Sequence, residues 1–190
     1  MLSFQNPLDL QIQQSPSTPL AFEDVVVLNA DDYDLVEGQF CCVMTRSGKK
    51  MILPFCNNKG VLQGSVGLSN RQRQFLEVDK GESVQVHLGY DSITIIPVIA
   101  KVTLHVSAYF LGGKSTDYRE QISLIMGHFL NKFDLHPLNT GHTIPLKVNG
   151  MLLDFKVVKL SGADIDWPFG IMDRGCEIHV DAERFSVSEC

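Results

Sequence analysis

The 190-residue chain predicts an α+β fold, with a barrel of short strands followed by a small α/β subdomain containing one long helix. Three features lead there. A glycine followed by alternating apolar positions recurs at VEGQFCCV, DKGESVQVHL, NTGHTIPLKV and DRGCEIHV, each time launching a half-buried strand from a polar turn. Units of this kind spread over the chain suit small barrels and not a doubly wound sheet. One segment alone, STDYREQISLIMGHFLNKF, reads as a long helix. Turn signals from Gly89 to Ser92, with Pro97 just beyond, divide the chain near residue 90 into subdomains 1–90 and 91–190.

Residues 1–20, rich in Gln, Ser and Pro, read as a loose tail or a first strand. DVVVLN (Asp24 to Asn29), QFCCVMT (Gln39 to Thr45) and KMILPF (Lys50 to Phe55) are strand signals, the last closed by the turn NNKG. NADDYDLVEG carries a carboxylate cluster without EF-hand spacing, which makes it a solvated turn. In GLSNRQRQFLEVDKG, Ser69 followed by Gln72 forms a capping box that starts a short helix from Asn70 to about Leu76. Phe75 and Leu76 should face the barrel, and Gly81 should end the excursion before SVQVHL. Arg71 and Arg73 lie two apart and so point to different sides, which leaves at least one of them fully solvated.

In the long helix, Asp117 caps the first turn and Glu120 reaches back to it. Tyr118, Ile122, Ile125, Phe129 and Phe133 recur at helical spacing, widened by Met126 and Leu130, and form a core stripe. Strand segments flank it: IIPVIAKVTLHVSAYF before and HTIPLKVNGMLLDFKVVKL after.

Composition bounds the function. With 44% hydrophobic and 20% charged residues, the chain has the make-up of a soluble globular protein. It has no basic, apolar leader at its start, and a cytoplasmic location is the default expectation. The five cysteines show neither metal-ligand nor disulfide-framework spacing. The net charge of -6 conceals an asymmetry. Between Val43 and Lys80, seven basic residues meet two acids, and between Ser161 and Cys190 seven acids meet two arginines. Such a bipolar field steers an acidic partner to one end. A sequence pI near 5.4 and the lack of an RNA-binding aromatic motif or helix-turn-helix pattern argue against nucleic acid.

Catalytic signatures are missing. There is no phosphate loop, dinucleotide fingerprint, nucleophile elbow or zinc-protease motif. LGGKST (Leu111 to Thr116) places Gly-Lys-Ser before a helix but lacks the first loop glycine, since Ala108 stands there. The six histidines are scattered; His87 and His105 are the two placed on strands that could meet a cysteine.

From Gly64 to Gly81 the chain resembles the N-terminal domain of the N-ethylmaleimide-sensitive fusion proteins, a family of vesicle-fusion AAA ATPases. Gly64, Val66, Leu68, Ser69, Gln72, Arg73, Phe75 and Gly81 carry the match. It continues more weakly through KVTLHVSAYF, the helix to Phe133 and GHTIPLKVNGMLLDFKVV, covering about residues 22–160. The resemblance implies a double-psi β-barrel joined to an α/β subdomain, together the adaptor platform of a homo-hexameric ATPase. It implies soluble attachment protein as adaptor, docking through acidic residues, and through it the SNARE complex. It also implies ATP and magnesium in ATPase domains beyond Cys190, no cofactor in this part of the chain, and a cytoplasmic protein held at membranes by its adaptor without inserting into them.

Arg73 matches an adaptor-binding arginine of that family, with Arg71 beside it. The family's lysine pair before the long helix aligns with Gly112 and Gly113, and Lys114 stands in for it one residue later. An early basic residue of the family's tail has no counterpart here. The same layout occurs in the N domain of valosin-containing protein, a ubiquitin-linked unfoldase. Double-psi barrels also serve aspartate decarboxylases and aspartic proteases; Gly64-Ser65 supplies a decarboxylase-like dipeptide, but no Asp-Thr-Gly occurs.

Overall fold

The computed structural model describes residues 7–29, 31–32, 39–90, 96–109, 122–148, 150–162, 165–181 and 187–188. The chain forms two compact units, residues 1–96 and 97–190.

The first unit contains β1 (Leu8–Gln14), α1 (Thr18–Phe22), β2 (Val26–Leu28), β3 (Phe40–Met44), β4 (Lys50–Asn57), β5 (Ser65–Leu68), α2 (Asn70–Leu76) and β6 (Ser83–Tyr90). Its strands close a barrel in the order β1-β5-β2-β4-β3-β6. Two pairs, β1 with β5 and β2 with β4, are parallel, and the other four are antiparallel. Every strand sends two residues, spaced by two, into the interior: Leu10 and Ile12, Val26 and Leu28, Cys41 and Val43, Met51 and Leu53, Val66 and Leu68, Val84 and Val86. That is the period of a pleated strand with one face in the core. Leu76 of α2 joins this cluster, and Phe75 packs partly against it.

The second unit is an open mixed sheet. It contains β7 (Val98–Tyr109), α3 (Ile122–Lys132), β8 (Pro137–Asn139), β9 (Thr143–Val148), β10 (Met151–Gly162), β11 (Ile165–Asp166), β12 (Phe169–Val180) and β13 (Val187–Ser188). The order is β11-β10-β7-β12-β8, with β9 on β10 and β13 on β7. β12 and β13 run parallel to β7, whereas β10 runs antiparallel to it. Ile125 and Phe129 are buried on α3 and Phe133 just beyond its end, whereas Ile122 of the predicted stripe is only half-buried. Phe129 stacks at 4.8 Å on both Phe133 and Phe155 of β10. Tyr118 and the Asp117–Glu120 cap lie outside the described residues.

The first unit closes the expected barrel, and one expectation from the glycine repeat needs correction. Gly81 (φ +93°) and Gly141 (φ +90°) do launch β6 and β9, but Gly175 sits within β12. There Asp173 Oδ1 accepts from Gly175 N at 2.9 Å, a local turn that takes the segment out of the ladder without ending the strand. Gly38, of the first repeat, lies outside the described residues.

Candidate functional site

The site is built round α2. Ser69 Oγ accepts from Gln72 N at 3.3 Å, and Gln72 Oε1 accepts from Ser69 N at 2.8 Å, so the capping box is complete. Gln72 is fully buried, and its Nε2 also donates to Asp24 Oδ1 (3.3 Å) and to the Val25 carbonyl (3.2 Å). One side chain thus caps the helix and fastens it to the entry of β2. At the other end, Glu77 takes a left-handed conformation (φ 58°) and stops the helix.

The hairpin between β3 and β4 is anchored to the same end. Lys49 Nζ donates to Glu77 Oε1 at 2.8 Å and lies 5.0 Å from the centre of the Phe75 ring. The hydrogen bond from Lys49, then its charge, lowers the Glu77 pKa from the ordinary carboxylate value. A groove of about 410 Å³ runs between hairpin and helix end, bordered by Arg46, Ser47, Glu77 and Glu82. A second, of about 280 Å³, lies along Asn70, Arg73, Gln74, Asp79 and Lys80.

Arg73 is half-buried. Its Nη1 donates to Gln14 Oε1 (2.7 Å) and to the Leu68 carbonyl (3.3 Å), and its Nη2 donates to Asn70 Oδ1 (3.2 Å). All three acceptors are neutral, so the guanidinium keeps its full charge while it staples α2 to β1. Arg71 is also only half-exposed, so neither arginine is fully solvated as the helical spacing led us to expect. The exposed positions of α2 are Asn70 and Gln74 instead. Lys114 lies outside the described residues.

Sequence reading passed over Arg46, Lys50 and Lys80 individually, although it counted them in the basic segment. All three are exposed and make no ion pair among the described residues. The signal for two of them is their place in turns, Arg46 at the tip of a hairpin and Lys80 just before Gly81, whereas Lys50 opens β4. The acidic arm of the charge asymmetry is partly neutralised where it stands. Asp166 pairs with Lys159 at 3.0 Å and Glu177 with Lys101 at 3.0 Å.

Other candidates resolve into local structure. Asp31 pairs with Lys59 at 3.6 Å, and Asp32 Oδ2 accepts from Gly64 N at 2.9 Å, which ties the carboxylate turn to the start of β5. Gly64 has φ +70° and Ser65 is buried, as a strand turn requires. His87 faces Cys42 across β3 and β6, but Cys42 is only 3% exposed and offers no open nucleophile. His105 belongs to the other unit. No group of three or more His, Cys, Asp or Glu among the described residues is arranged to hold a metal, and no described helix is long and apolar enough to cross a membrane.

Among known proteins, neither a family model nor a curated sequence matches the chain. The first unit is a closed barrel in an α+β chain, and its two grooves mix cations (Arg46, Arg73, Lys80) with carboxylates (Glu77, Asp79, Glu82).

Proposed function

We propose that this chain is the adaptor-binding N domain of a vesicle-fusion AAA ATPase, with a first unit of the double-psi barrel type. Its task is to dock soluble attachment protein and, through it, SNARE complexes for disassembly by ATPase domains of the same chain. The domain itself has no catalytic role.

One observation carries the reading: two grooves meet at Glu77 and Val78 at the end of α2, and Arg73, Arg46 and Lys80 stand on them, interleaved with Glu77, Asp79 and Glu82. The two parallel strand pairs in an otherwise antiparallel barrel support the barrel type. Arg73, Arg71 and Lys114 remain the residues that the family resemblance selects, and Arg46 and Lys80 line the grooves at the end of α2. Each exposed cation contributes only about 0.2–1 kcal/mol to an ion pair. Repetition round a hexamer turns several such contacts into avidity with easy release.

The test is binding of the purified chain to soluble attachment protein carrying SNAREs, at low and high salt. The paired reversal Arg46→Glu with Lys80→Glu should abolish low-salt binding while the thermal midpoint stays near wild type. Binding that is unchanged, or equal at both salt concentrations, removes the electrostatic proposal.

A further inference from the structure

One carboxylate belongs to both grooves. Glu77 borders the groove beside the β3–β4 hairpin and the groove along α2, and its Oε1 accepts from Lys49 Nζ at 2.8 Å. The Lys49 ammonium is held in place by other groups as well. Thr45 Oγ1 accepts from Lys49 N at 3.1 Å and Thr45 N donates to the Lys49 carbonyl at 2.9 Å, which fixes the backbone. The Phe75 ring, with its centre 5.0 Å from Nζ, attracts the ammonium with or without Glu77.

Glu77 is bound far less firmly. Its side chain is 76% exposed against 34% for Lys49, and an ion pair so open to water is weak and screened by salt. The backbone gives no reason for a glutamate at this position. Glu77 stops α2 with φ 58°, a conformation that favours glycine, and its N–H donates to the Gln74 carbonyl at 3.3 Å whatever side chain it carries. The other acids of the grooves hold no cation. Glu82 Oε2 accepts from Asp79 N at 2.7 Å within its own turn, and neither residue makes an ion pair among the described residues.

We infer that Glu77 is a built-in stand-in for a partner's carboxylate, occupying Lys49 in the free protein and exchanged on docking for a glutamate or aspartate side chain of the partner. A carboxylate already sits on Lys49, which keeps it ionised by hydrogen bond and charge. Because Glu77 lines both grooves, a segment lying in either one reaches that position. One ion pair is traded for another, so docking is held weak by competition and release is assisted when Glu77 returns. The identity of the partner rests on the adaptor reading above, whereas the exchange at Lys49 does not.

The experiment is an NMR titration of the full chain at low salt with acetylated hexaglutamate, following the Lys49 side-chain signals and the Glu77 carboxyl carbon, with soluble attachment protein in a parallel arm. In the wild type both sets of signals should shift together. Glu77→Gly should bind the peptide at least about twofold tighter, the scale of a surface ion pair, and should keep its thermal midpoint because glycine accepts the left-handed backbone. Glu82→Gln removes the same charge from the same groove without releasing a cation and should gain less. In a Lys49→Gln background, Glu77→Gly should gain no more than Glu82→Gln does. Absence of peptide binding to Glu77→Gly, equal gains at Glu77 and Glu82, a Glu77→Gly gain that survives Lys49→Gln in full, or shifts that leave Lys49 unmoved would each overturn the exchange. Exchange with the peptide but no binding of attachment protein would instead sink the adaptor reading and leave Glu77 in its role.

Discussion

Nη1 of Arg73 lies 2.7 Å from Oε1 of Gln14, and this contact ties α2 to the end of β1. With the bonds to Leu68 and Asn70, it makes Arg73 a part of the barrel's frame as well as a charge on its rim. Arg73→Ala should therefore lower stability by about 1 kcal/mol, the net worth of one or two partly exposed hydrogen bonds. Arg73→Lys, which keeps the charge but loses the fork, should fall between Ala and wild type in urea denaturation. An Ala variant as stable as wild type would show that the three bonds contribute nothing.

Gln72 should be the more sensitive position. Its buried amide serves three partners, so Gln72→Ala leaves the Ser69 N–H and the Asp24 carboxylate short of an intended partner. The expected loss is about 1–3 kcal/mol. Ser69→Ala, which removes only the hydroxyl cap, should cost about 1 kcal/mol. Urea midpoints of the two variants in the order opposite to this would count against the capping network.

The Lys49–Glu77 pair predicts a small pH effect with a definite sign. The Glu77 carboxyl is held below its ordinary value of 4.5, so its stabilising contribution is present above that pH and fades as pH falls through the lower, folded-state value. Glu77→Gln should show a weaker fall in stability on acidification than wild type, and the difference should shrink in high salt. Parallel denaturation curves at neutral and acidic pH check this. Identical acid sensitivity of the two proteins would refute it.

Thiol reactivity should follow burial. Cys41 is fully buried, and burial followed by the neighbouring Cys42 raises its pKa; burial and then Asp173 push the Cys176 thiol up to about 11. Cys56 is half-exposed and raised only by burial. Alkylation of the native protein followed by peptide mass mapping should label Cys56 before Cys176, and Cys41 only on unfolding. Early labelling of Cys41 would contradict the barrel interior.

Gly170 tests the second sheet. A Cβ there would stand 2.6 Å from Ile99 Cγ1 and 2.8 Å from the Pro97 carbonyl, and a backbone oxygen cannot move aside as a side chain can. Gly170→Ala should destabilise the chain by about 1–3 kcal/mol. By contrast, Gly127→Ala on α3 meets nothing within 4 Å and should stabilise by about 1 kcal/mol, through helix propensity. Thermal midpoints that move the same way would argue against this register of β7 and β12.

Much of the local structure was legible because it is written in near neighbours. α2 runs from Asn70 to Leu76, between the bounds that Ser69, Gln72 and Gly81 set. β2, β3 and β4 lie on the three apolar runs, and α3 buries Ile125 and Phe129 of its predicted stripe. The fourth glycine repeat misled because a turn signal is the same whether a strand ends there or merely bulges. Only the pairing of β12 with β7, distant in sequence, decides between these.

By itself the sequence determined the strands β2, β3 and β4, the two helices α2 and α3, and the crowding of basic residues into one stretch, but not α1 or the course of β12. These follow from periodicity and capping, which act over a few residues. The tertiary structure alone decided that six short strands close on one another, that Arg73 reaches back to Gln14, and that Lys80 lines one groove with Arg73 while Arg46 lines the other. It also decided that Arg174 pairs with Asp134, forty residues earlier. The reason is physical: a side chain's exposure and its hydrogen-bond partners are set by residues dozens of positions away, brought close only when the strands pair and the core excludes water.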